Sequence, residues 1–162
     1  MAARLAPGVP LELLGHVTAL PTGSVHVPLD GRSVRVIEHQ AHAPGHAALL
    51  VEDAHVLMAG DMLSDVEIPL LDPRGSDLCR GYLAALDQLE DGVSSGVTAV
   101  VPGHGAVAHG SEIQSRFSAD RAYIHALQAG QDPADPRVGP SAAYGTDWLP
   151  EAHADNLRIA QQ

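Results

Sequence analysis

The chain has 162 residues, 45% of them hydrophobic, and sets nine basic residues, all arginine, against 20 acidic ones for a formal charge of −11. That length and composition suit one folded domain with a sizeable core and exclude wholesale disorder. The acidic balance excludes a dedicated nucleic-acid binder and disfavours anionic membrane surfaces, because both rely on clustered cationic side chains.

The first third reads as strands. Leu11 to Leu20 is apolar and bounded by Pro10 and Pro21. Val25-His26-Val27 follows, then the turn signal Leu29-Asp30-Gly31-Arg32, then the β-branched run Val34-Arg35-Val36-Ile37. Ala47–Glu52 and His55–Ala59 form two further apolar runs joined at Glu52-Asp53-Ala54, the pattern of a hairpin. After Gly60 the period changes: Leu78, Tyr82, Leu86 and Leu89 recur at helical spacing, with Ser76 or Asp77 placed to cap. Cys79, the only cysteine, reads as a small residue on that helix and excludes both an intrachain disulfide and a cysteine-based zinc cluster. Gly92 to Gly96 ends the helix, and Val97–Val101 is a short buried strand stopped by Pro102. Ser111 with Gln114 resembles a capping box ahead of a helix whose apolar stripe is Ile113, Phe117, Ile124 and Leu127. Gln131 to Tyr144 is an irregular, Pro- and Gly-rich connection, and Asp147 is placed to cap a last helix carrying Trp148, Leu149, Leu157 and Ile159. The order is that of a mixed α/β domain, with a core built from Leu, Val, Ile and Ala because only five residues are aromatic. No apolar run approaches the ~20 residues of a membrane-spanning helix, and Met1 to Pro10 lacks the apolar stretch of a signal peptide. These features set the expectation of a cytoplasmic protein with no membrane and no nucleic-acid partner.

Three polar residues fall directly after strand-like runs: His42 after Val34–Ile37, Asp61 after His55–Ala59 across Gly60, and His104 after Val97–Val101 in Pro102-Gly103-His104-Gly105. In layered α/β folds, loops leaving one edge of a sheet converge, and a glycine beside each residue permits the tight turn that aims its side chain outward. Two imidazoles and a carboxylate delivered in this way suit a zinc-type cation. Spacing alone leaves ordinary loop histidines and a metal site equally open.

The segments His42-Ala43-Pro44-Gly45-His46, Val56-Leu57-Met58-Ala59-Gly60-Asp61 and Val100-Val101-Pro102-Gly103-His104-Gly105 resemble, in order and interval, the downstream motifs of metallo-β-lactamase-fold hydrolases. The stretch Asp61 to Pro69 resembles members of the same superfamily, and the resemblance runs from about Val9 to about Ala129. It implies an αββα sandwich represented mainly by its C-terminal half over residues 1–130, and the composition of residues 131–162 adds a Pro- and Gly-rich connection and a terminal helix expected to pack on it. It further implies His42 as a ligand of a first metal, Asp61 as the carboxylate bridging two metals and the catalytic residue, and His104 as a ligand of the second. The interval from His42 to Asp61 places His42 and not His46 at the ligand position. The implied cofactor is Zn2+ at two sites, with Fe or Mn as alternatives. The implied reaction is attack by a metal-held water or hydroxide on a small ester, thioester or lactone-type substrate.

The family's first motif, His-x-His-x-Asp-His, is absent: none of the ten histidines has the His-x-His spacing. Each metal then keeps two protein ligands where a catalytic zinc normally has three. The expectation is a truncated chain, the C-terminal part of a longer enzyme, weakly active or inactive alone. Its uncovered sheet face would favour a homo-oligomer or a complementing chain. The alternative is a non-catalytic remnant or interaction module that assembles with itself or another chain.

Overall fold

The computed structural model describes residues 19–21, 24–75 and 77–161. Six strands form one sheet in sequential order: β1 (His26–Leu29), β2 (Arg32–His39), β3 (His46–Val51), β4 (Val56–Gly60), β5 (Ala99–Pro102) and β6 (Ala108–His109). The β1–β2 hairpin closes on Asp30 (φ 47°) and Gly31 (φ 78°), the pair of left-handed residues that a two-residue turn needs to match the twist of its strands. The β3–β4 connection is a single 3-10 turn at Glu52–Ala54, followed by His55 at φ 56°. Of the apolar segment Leu11 to Leu20, residues 11–18 lie outside the described residues, and Ala19 and Leu20 carry no strand.

β1 to β4 pair antiparallel, β5 pairs parallel to β4, and β6 returns antiparallel. A parallel neighbour requires a crossover, and helix α1 (Leu78–Val93) makes it. Asp77 caps α1 by accepting from the Arg80 backbone N–H, while the alternative cap, Ser76, lies outside the described residues. Helix α2 (Ser111–Gln128) buries the stripe Ile113, Phe117, Ile124 and Leu127.

Two expected caps are corrected. Gly110 is the N-cap of α2 with no side-chain bond, because Ser111 already lies inside the helix. The Glu112 carboxylate reaches back instead and accepts from the His109 N–H at 3.1 Å. At the last helix, α3 (Leu149–Ile159), Trp148 is the N-cap, also without a side-chain bond, and Asp147 does not cap it. The connection from Gln131 to Tyr144 is irregular apart from a 3-10 turn at Pro136–Val138.

One apolar cluster joins the layers. Ala48, Leu50, Leu57, Ala59 and Val100 of the sheet pack with Tyr82, Leu86 and Leu89 of α1, Phe117, Ile124 and Leu127 of α2, and Leu149 and Ile159 of α3. The alternate residues of the same strands stand on the other face. There, Val36 opposes Leu49, Leu49 opposes Met58, and Met58 opposes Val101, a continuous apolar row across four strands. Met58 is 45% exposed, and Val36, Leu49 and Val101 are only partly buried.

Candidate metal centre

β2, β4 and β5 run in the same direction, since β2 and β4 each lie antiparallel to β3 and β5 is parallel to β4. Their C-terminal ends therefore share one edge of the sheet, and His42, Asp61 and His104 each follow one of them. The loops meet as the strand pattern requires. The Asp61 Oδ2 atom lies 3.4 Å from His42 Nε2, and its Oδ1 lies 3.7 Å from His104 Nε2. One carboxylate thus faces two imidazoles, one through each oxygen. The Asp61 and His104 side chains are 37% and 41% exposed, so the group opens directly to solvent.

Tight backbone approaches make this possible. The Gly103 N–H donates to the Gly60 carbonyl at 2.7 Å, joining the two loops immediately beyond their strands. A Cβ at Gly103 would overlap Asp61 Oδ1, and a Cβ at Gly60, whose φ is 61°, would lie 2.6 Å from the His46 ring.

His46 serves Asp61 from beneath. Its Nε2 accepts the Asp61 backbone N–H at 3.2 Å and its Nδ1 lies 3.2 Å from His39 Nε2. An imidazole engaged on both nitrogens has no lone pair left for an ion. Burial, aided by the neighbouring His46 and His42, pushes His39 down to about 4. Burial and His42 lower His46 as well, against the pull of Asp61. Both rings are therefore neutral at pH 7, as a packed imidazole pair must be.

The loop from Asp61 to Leu71 is the least legible part of the sequence and the most heavily anchored. Leu63 has φ 60°, a conformation that costs an L-residue about 1–2 kcal/mol. Both of its backbone groups are held: its N–H by Asp120 Oδ2 at 3.1 Å and its carbonyl by Arg116 Nη1 at 2.9 Å. Buried Arg137 donates to Asp120 at 2.7 Å and to the carbonyls of Ser64 and Glu67 at 3.1 Å each. Although burial works against it, bonding to Asp135 and Asp120 holds the Arg137 guanidinium charged. Ser64 Oγ donates to the His104 carbonyl at 2.9 Å and accepts the N–H groups of Val66 and Glu67.

This folding of the loop delivers a residue that the sequence reading missed. Glu67 is only 7% exposed, and its Oε2 lies 3.7 Å from His104 Nε2, the same nitrogen that faces Asp61. Burial raises the Glu67 carboxyl above the ordinary carboxylate range, with His104 opposing the shift and Asp61 adding to it. The only signal in the sequence was a charged residue inside Val66-Glu67-Ile68-Pro69, an otherwise apolar stretch.

The donor set fits the dinuclear cation group that the motifs imply, as one part of it. An Asp–His pair supplies two donors to each of two positions, and among the described residues no set of three His, Cys, Asp or Glu groups encloses a common point. The two positions are not equally prepared. A metal-bound imidazole normally donates its second N–H to an acceptor. His104 Nδ1 has the Tyr144 hydroxyl at 3.3 Å, whereas buried His42 Nδ1 has no hydrogen-bond partner among the described residues.

A family model described as the metallo-beta-lactamase superfamily matches residues 10–122. Among solved structures, the fold is similar to a metallo-beta-lactamase family protein from Thermus thermophilus, with 27% identity, TM-score 0.57, and coverage of 70% of this chain and 37% of that one. A beta-lactamase domain protein from Burkholderia ambifaria is 26% identical at TM-score 0.52, covering 79% of this chain and 38% of that chain. The sec-alkylsulfatase Pisa1 from Pseudomonas sp. shares the fold at 16% identity and TM-score 0.60, over 90% of this chain and 26% of that one. The chain thus spans well under half the length of each. A search of curated proteins gives no match.

Proposed function

Since the chain belongs to the metallo-beta-lactamase superfamily, we propose that it carries part of a dinuclear metal centre of a hydrolase acting on a small ester, thioester or lactone. The observation that carries this reading is Asp61, whose two carboxylate oxygens face His42 and His104 separately at 3.4 and 3.7 Å. His42 with Asp61 would hold one cation and Asp61 with His104 the other, and Zn2+ suits these donors, as do Fe and Mn. Bound together, such cations supply Lewis acidity that makes water nucleophilic near neutral pH and offsets charge on a substrate oxygen.

The chain's own residues do the positioning. His46 fixes the backbone of Asp61, Gly103 clamps the His104 loop to the end of β4, and Ser64 holds the His104 carbonyl. The exposed mouth admits a small molecule without enclosing it, so further donors and substrate contacts come from chain material or a partner beyond these residues. Buried Cys79 as the only thiol accords with a reducing, cytoplasmic setting.

The test is metal content after dialysis, combined with hydrolysis of a thioester and a lactone, for the wild-type chain and for Asp61→Asn, His42→Ala and His104→Ala. Asp61→Asn is expected to lose metal at both positions and each histidine variant at one. Full metal retention by Asp61→Asn overturns the reading.

A second reading has its own observation, the apolar row Val36-Leu49-Met58-Val101 across the sheet. It casts the chain as an interaction module that pairs through this face, with itself or with a complementing chain. Assembly unchanged by His42→Ala and His104→Ala would favour it.

A further inference from the structure

We infer that Glu67 is the third protein donor of the metal position at His104, so that this chain builds one of the two positions by itself. The inference rests on the metal-centre reading above and extends it to a residue outside the motifs that carry that reading.

Three observations support it. First, the Glu67 backbone is fixed on both sides, so its side chain leaves the loop from a set point. Its N–H donates to Ser64 Oγ at 3.0 Å, and its carbonyl accepts from Arg137 Nη1 at 3.1 Å. Second, the Glu67 side chain is only 8% exposed, and among the described residues no arginine pairs with it. Among the described residues its one ion-pair partner is His104, and no hydrogen bond reaches its oxygens. A carboxylate largely withdrawn from water with few polar partners is costly, and such groups are normally paired or bound to a metal. Third, it converges on a nitrogen already turned toward Asp61: His104 Nε2 lies 3.7 Å from Asp61 Oδ1 and 3.7 Å from Glu67 Oε2.

These two edges have the scale of a coordination shell. Ligands at about 2.0–2.2 Å around a tetrahedral ion stand roughly 3.4 Å apart. The edges are slightly wider than that, and as placed the three groups do not yet close around a point. An ion has to draw the three groups together, which rotation of the Glu67 and Asp61 side chains allows. One imidazole and two carboxylates then give the three protein donors of a catalytic zinc site, with a position left for water. The Tyr144 hydroxyl on the far nitrogen of the ring gives His104 the support that His42 has from none of the described residues.

The experiment is equilibrium dialysis of Zn2+ against the 162-residue chain, with far-UV circular dichroism and urea unfolding to show that each variant is folded. The wild type is expected to bind Zn2+ more tightly at the His104 position than at the His42 position. Glu67→Gln, which keeps the shape, and His104→Ala should each weaken binding at the His104 position by at least about tenfold, while His42→Ala leaves it in place. Glu67→Asp, which keeps the charge but withdraws the donor by one methylene, should weaken it too. If Glu67→Gln binds as the wild type does while His104→Ala does not, Glu67 is no ligand and the inference fails, with the metal-centre reading intact. Loss in Glu67→Gln with full binding in Glu67→Asp also overturns it, since the carboxylate would then act through its charge alone. A wild-type chain that takes up no Zn2+ also overturns the inference, whereas Zn2+ uptake that Asp61→Asn and His104→Ala both leave unchanged overturns the metal-centre reading itself.

Discussion

His39 and His46 lie opposite each other in the register of β2 and β3, directly beneath Asp61. Their pairing leaves no room for an added proton, and burial holds His39 at about 4 against the 6.5 of a free imidazole. The sign of the resulting pH dependence follows. Above pH 6.5 both folded and unfolded chains carry His39 neutral. Between 6.5 and about 4 only the unfolded chain takes up the proton, so stability falls as pH is lowered through that window. The fall is at most about 3 kcal/mol. Urea midpoints at about pH 7.5 and about pH 4.5 should therefore differ markedly for the wild type and much less for His39→Gln, which removes this titration.

At the scale of elements, the loop between β4 and α1 is held by parts of the chain that come much later. Arg137 and Asp120 grip it from the 3-10 turn and from α2, and Asn156 of α3 accepts the Leu71 N–H at 3.1 Å and donates to the Pro69 carbonyl at 2.6 Å. Removing one member of a buried pair strands the other charge, so Arg137→Met is expected to destabilise the fold by about 3–5 kcal/mol. Denaturant unfolding checks this, and Asp120→Asn in the same background should recover part of the loss, because the two charges are coupled. None of these anchors was legible in the sequence: Arg137 and Ser64 are 73 positions apart, and Asn156 and Pro69 are 87 apart. What was legible had a local period. β2 to β5 showed β-branched or continuous apolar runs ending in glycine or a turn, and α1 and α2 showed stripes at helical spacing. His42, Asp61 and His104 were visible because each closes such a run. Glu67 was not, because a loop has no period and its aim is set by Ser64 and Arg137. The helix starts at Ser111 and Leu149 escape the sequence for a related reason. A capping side chain competes with alternatives that only tertiary structure decides, such as Glu112 reaching back to His109.

Across the whole molecule, the sheet has one face committed to the helices and another that carries a row of apolar side chains. Val36, Leu49, Met58 and Val101 share no place in the main core cluster, and patches of that kind are where folded chains associate. The expected outcome is concentration-dependent self-association, read by sedimentation, that Met58→Lys weakens while zinc uptake is unchanged. The same sheet is also a device for timing. β4 and β5 follow each other in the chain only through the α1 crossover, and at the end of their parallel ladder the Gly103 N–H on the Gly60 carbonyl pins the loops of Asp61 and His104 together. That amide can trade its hydrogen with solvent only when the two loops separate. Its deuterium uptake is therefore a clock on the opening of the centre, running in the absence of any metal or substrate. It should slow when an ion ties the loops together, while the amides of the distant β1–β2 hairpin keep their pace.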